Sequence, residues 1–150
     1  MNMTFFSEIL KDELEENKIA YVDYSDYDEN LELIDDSFYF EVFVKDQYGV
    51  AFPIKVIHNG EDENDLELRM SIVANEEKQK ELIDLCNYLM AHYVYLRWVL
   101  TENFELDARY NMTLSKNEAE NVPRTIHHIN VFAQVLNEVY PMVQRALWED

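Results

Sequence analysis

Phe38-Tyr39-Phe40-Glu41-Val42-Phe43-Val44-Lys45, residues 38 to 45, is the stretch that decides the fold. Phe38, Phe40, Val42 and Val44 alternate with Tyr39, Glu41, Phe43 and Lys45. A period of two puts these sets on opposite faces of a strand. One set is wholly apolar and the other mixed, so one face is buried and the other open, the habit of antiparallel sheets. The pattern then repeats. Asp46 to Gly49 predicts a turn, and Val50 to His58 a second strand with Val50, Phe52, Ile54 and Val56 inward. Asn59-Gly60 and the acidic run Glu61 to Asp65 predict the next connection. Leu66 to Val73 predicts a third strand that buries Leu66, Leu68, Met70 and Ile72.

Upstream, Phe5, Phe6, Ile9, Leu10 and Leu14 recur at helical spacing and predict a helix over Thr4 to Asn17. Tyr21 to Asp36, rich in Asp and Tyr, predicts a short strand followed by a loop. Downstream, Asn75 is a good N-cap, with Glu76 and Glu77 suited to the helix dipole. Leu82, Leu85, Cys86, Leu89 and Tyr93 form the main stripe of that second helix, widened by Ile83 and Met90. Two more alternating strands are expected at about Leu96 to Thr101 and Phe104 to Leu114, joined by a tight turn at Glu102-Asn103. Ser115 and Glu118 have capping-box spacing, but Pro123 would interrupt a helix begun there. The last helix is therefore expected from about Pro123, with Ile129, Phe132, Ala133, Leu136, Tyr140, Val143 and Leu147 inward and a kink at Pro141. The order is α-βββ-α-ββ-α. It predicts one α+β domain over residues 1–150: an antiparallel sheet of about five strands with three helices packed on one face.

Composition bounds the function. The 150 residues are 48% hydrophobic, with 10 Tyr, 8 Phe and 2 Trp, too apolar for a disordered chain. Against 31 Asp and Glu stand 12 Lys and Arg, a formal net charge of −19. Such a field repels phosphate backbones and anionic lipid surfaces, so neither nucleic acid nor a membrane is an expected partner. Cys86 is the single cysteine, so no internal disulfide is expected, and its apolar surroundings predict a buried structural thiol. Met1 to Asn17 is amphipathic and acidic rather than basic-then-apolar, and the apolar runs are too short to span a bilayer. The expected location is cytoplasmic.

Catalytic and cofactor signatures are missing. His58, His92, His127 and His128 have no zinc-type spacing, and His127 and His128 diverge on a helix; all four are expected at the surface, with no metal site. Asp26, Asp28 and Asn30 match the opening of a calcium loop, but Leu31 replaces its glycine and Ser37 its bidentate glutamate. Two glycines cannot build a phosphate-binding loop, and no nucleophile elbow occurs. The chain is expected to be no enzyme and to need no cofactor.

Alternation instead marks a surface. Lys45, Lys55, Arg69, Arg97 and Arg109 fall on the outer sheet face among Glu41, Glu67, Glu105 and Asp107, leaving it near neutral. Tyr39, Phe43, Ile57 and Val99 share it. They are the expected partner contacts, with Arg69, Arg97 and Arg109 orienting a partner through charge-assisted hydrogen bonds.

The segment Leu82-Ile83-Asp84-Leu85-Cys86-Asn87-Tyr88-Leu89, the hairpin from Arg97-Trp98-Val99-Leu100 to Tyr110, and the ending Val139-Tyr140-Pro141-Met142-Val143 resemble the YbjN-like domain family. That family shares its fold with the class I type III secretion chaperones. The resemblance spans about Phe5 to Trp148 and implies that fold, a homodimer and a non-enzymatic protein-binding role, chaperone-like or regulatory. It carries no catalytic residue. The alternative from a different class is an acidic regulator or inhibitor that meets a basic protein by charge, in the manner of a nucleic-acid mimic.

Overall fold

The structure is a computed structural model that describes residues 2–45 and 49–149. The expected turn at Asp46 to Gly49 falls mostly outside them. The fold is α+β: three helices and an antiparallel sheet of six strands, ordered β1-β2-β3-β4-β6-β5. The elements are α1 (Met3–Glu16), β1 (Ala20–Asp23), β2 (Phe38–Lys45), β3 (Ala51–His58) and β4 (Asp65–Val73). Then come α2 (Gln79–His92), β5 (Arg97–Leu100), β6 (Glu105–Thr113) and α3 (Glu118–Trp148). The expected five strands become six because Ala20–Asp23 pairs along β2, with Ala20 opposite Phe43 and Asp23 opposite Phe40.

The inner sheet face carries the core. Phe38, Phe40 and Val42 of β2, Phe52, Ile54 and Val56 of β3, and Leu66, Leu68 and Met70 of β4 are buried there. β6 adds Leu106, Ala108 and Met112, and β5 adds Trp98. Against them pack Phe6, Leu10 and Leu14 of α1, Leu82, Cys86 and Leu89 of α2, and the long stripe from Val122 to Leu147 on α3. Cys86 is buried as expected, and burial pushes its thiol up to about 11. Val50, expected inward, precedes β3 and is exposed.

Ile83 and Met90 depart from expectation in an informative way. Both remain exposed, at 43% and 40%, because α2 turns only the Leu82-Cys86-Leu89 line to the core. Phe5 on α1 likewise stays 57% exposed while its neighbour Phe6 is buried. Helical spacing shows that such residues share a sector, but not how wide a sector the neighbouring elements can cover.

The last helix starts earlier than its prolines suggest. It runs from Glu118 through both Pro123 and Pro141 without a break. In place of the Ser115–Glu118 box set aside above stands buried Asn121, whose Oδ1 accepts from the Ser115 N–H at 2.7 Å and whose Nδ2 donates to the Ser115 carbonyl at 2.9 Å. That two-way clasp anchors the first turn five residues ahead of where Pro123 alone would place it.

The acidic segment after β1 is an ordered hairpin-like loop. Tyr27 bridges to Leu33, and the Leu33 N–H donates to Thr4 Oγ1 at 3.0 Å, tying the loop to α1. Asp35 and Asp36 both adopt left-handed backbone, at φ 55° and 54°. The β3–β4 turn closes on this loop at Gly60, whose φ is +80° and where an added Cβ would clash with the Asp35 carbonyl oxygen. Gly60→Ala is therefore expected to cost about 2–3 kcal/mol, combining left-handed strain with a backbone clash. Gly49→Ala also sits at positive φ but meets nothing within 4 Å, and should cost only about 1 kcal/mol. Urea denaturation of the pair measures the difference, and equal losses would remove the clash.

Candidate interaction surface

The outer face of the sheet is uncovered by helices and is assembled in cross-strand rows. Lys55 of β3 lies opposite Arg69 of β4, Arg69 opposite Arg109 of β6, and Arg109 opposite Arg97 of β5. Four cations thus stand side by side on adjacent strands. Directly opposed like charges are unfavourable, so this row needs compensation. Glu67 supplies part of it, accepting from Arg69 Nε and Nη2 at 2.8–3.0 Å and lying 3.9 Å from Arg109 Nε. Asp107 supplies more: its Oδ2 accepts from Arg109 Nη2 at 2.6 Å and from Nε at 3.1 Å. Its other oxygen, Oδ1, is buried without a hydrogen-bond partner among the described residues. At the far end of the row Arg97 is exposed, and no ion pair among the described residues involves it.

With Asp65 added to the expected set, five carboxylates answer five cations on this face. Its charge is zero, and the whole net charge of −19 lies on the helices, loops and edges. Hydrophobic alternation alone was enough to foresee this.

The expected apolar contacts do not form one patch. Tyr39 and Ile57 are direct cross-strand partners, and Tyr24 packs edge-on against Tyr39 with ring centroids 5.5 Å apart. Phe43 lies opposite Pro53, separated from Tyr39 by the Glu41–Lys55 pair. Val99 sits opposite Asp107 on β5, four strand spacings from β2 and so about 19 Å away. Arg69, Arg97 and Arg109 are brought together; Tyr39, Phe43, Ile57 and Val99 line two ends of the face. All four are partly shielded rather than prominent.

Beside Arg97 the sheet is notched. β5 pairs with β6 only from Leu106 to Arg109, and a cleft of about 510 Å³ opens beyond, lined by Met90, Val94, Tyr95, Arg97, Arg109 and Asn111. Behind it Tyr95, Tyr110 and His128 stack, and the Tyr95 hydroxyl meets His128 Nδ1 at 2.7 Å. Burial, then the nearby His127 and Arg124, hold His128 below the ordinary histidine value, and burial raises Tyr95. His128 was expected at the surface, and the stack gave no sequence signal because its three members lie far apart in the chain. His58 is also misplaced by the sequence. It is buried, stacked on Phe38, with Nδ1 2.7 Å from the Asp36 carbonyl oxygen. Its place on the inward register of β3 carried that information.

No helix among the described residues is long and apolar enough to cross a membrane. No family model matches the chain, and no curated protein is similar to it beyond chance.

Proposed function

We propose that the chain is a non-enzymatic protein-binding module, chaperone-like or regulatory, that captures a protein partner on the outer sheet face or at a strand edge and acts as a homodimer. The observation that carries this is the charge map: one open face of zero net charge on a molecule that is otherwise strongly anionic. An approaching protein meets the least repulsion there, and can exchange water for Tyr39, Phe43, Ile57 and Val99 while Arg97 offers an uncommitted guanidinium. The sequence resemblance to YbjN-like domains, which share the secretion-chaperone fold, supports the same role. Self-association draws support from three solvent-exposed apolar side chains, Ile83 and Met90 of α2 and Val94 in the turn after it, with α2 packed beside the edge strand β5.

Two paired variants test the surface. Tyr39→Ser with Ile57→Ser, and Phe43→Ser with Val99→Ser, should each reduce partner retention by the immobilised chain without lowering its melting temperature much. Sedimentation should show a dimer that Met90→Glu with Val94→Glu converts to monomer. Unchanged retention by both sheet variants would exclude the outer face.

The charge map also favours a second function, an acidic regulator meeting a basic protein target through its helices. Ionic strength separates the two. Capture through the sheet survives added salt, whereas capture by charge falls away within a Debye length of about 8–10 Å.

A further inference from the structure

A second cavity lies on the opposite side of the molecule, between α1 and the first turns of α3. It measures about 210 Å³, and Phe5, Ile9, Ala119, Val122 and Pro123 give it apolar walls. Cavities of about 150 Å³ accept a benzene-sized group, so this one can hold a large apolar side chain. Phe5 stands open at its margin, 57% exposed. Glu13 and Glu118 border it from the two helices, and no lining residue is basic. An apolar hole bordered by two carboxylates suits a group that is apolar at its end and rich in donors beside it.

We propose that this groove takes one large apolar side chain from a cationic amphipathic segment of a partner protein, with flanking Lys or Arg on Glu13 and Glu118. Charge complementarity selects that occupant. The same groove of a second copy would bring carboxylates to carboxylates, and an anionic partner would be repelled by both the rim and the surrounding helices. The site is independent of the sheet face, so the two can fail separately.

The probe is a labelled peptide of about twelve residues built from Leu and Lys in amphipathic order, followed by fluorescence anisotropy at physiological ionic strength. The wild-type chain is expected to bind it. Phe5→Ser, Ile9→Arg, and Glu13→Lys with Glu118→Lys should each weaken binding at least about tenfold. A peptide of equal charge with Ser for Leu should lose a similar factor, while Tyr39→Ser with Ile57→Ser binds as wild type. Phe5 is exposed, so that variant keeps its fold should Ile9→Arg not. The proposal is overturned if the probe does not bind, if the Ser peptide binds as tightly, or if Phe5→Ser binds like wild type. A groove that takes up toluene but not the peptide would be a small-molecule site and would also overturn it.

Discussion

Arg109→Met is expected to lower the stability of this protein by about 3 kcal/mol, more than loss of any exposed salt bridge. The guanidinium satisfies Asp107, whose side chain is only 2% exposed although it belongs to the open face of the sheet. Removing the cation leaves a carboxylate with one oxygen already unpartnered and the other newly so. Desolvation, rather than the lost attraction, sets the size of the effect. Arg109→Lys should recover only part of it, since an ammonium cannot reproduce the Nε and Nη2 pair on Oδ2. Combining Arg109→Met with Asp107→Leu should restore most of the loss, because an apolar pair needs no compensation. Denaturant titration of the three variants measures this directly. A double variant as unstable as Arg109→Met alone would show that the ion pair itself, not burial of its anion, holds the strands.

Phe132→Ala should cost about 3–5 kcal/mol. Phe132 is fully buried near the middle of α3 and is among the largest completely enclosed side chains. α3 meets both α1 and α2 and packs on β2 and β3, so a cavity at its centre loosens the contact between layers. The sheet cannot collapse into that space, since its hydrogen-bonded ladders fix the spacing of its strands. Phe43→Ala offers the comparison. It removes a ring of the same size from the outer face, where water can replace it, and should cost about 1 kcal/mol or less. Thermal unfolding of the two gives the contrast, and similar losses would mean that the outer face is covered in solution.

The sheet was legible because period two is a strong signal over eight or nine residues, and because a mixed outer face distinguishes it from a buried parallel sheet. β1 was faint: four residues, Ala20–Asp23, whose apolar pair Ala20 and Val22 faces outward while Tyr21 and Asp23 face the helices. Its place at the edge comes from pairing with β2, which local sequence does not record. The start of α3 was obscured by Pro123, whose veto over helix looked decisive until the Asn121 clasp supplied an anchor from outside the helix. For the candidate surface, parity told which residues face outward, and that suffices to find its neutrality. Parity does not tell register. Only the pairing of strands reveals that Lys55, Arg69, Arg109 and Arg97 share one row, or that Val99 stands far from Phe43.

That row has a consequence for how this molecule meets others. With its excess negative charge on the helices, loops and edges and a sheet face whose cations and carboxylates balance, it is electrically two-sided. Long before contact, a charged neighbour turns it. Basic proteins are drawn to the helical side, and acidic ones are swung round until the sheet leads. The orientation of an encounter is therefore chosen at a distance by the visitor's own charge, and each class of partner arrives at a different door.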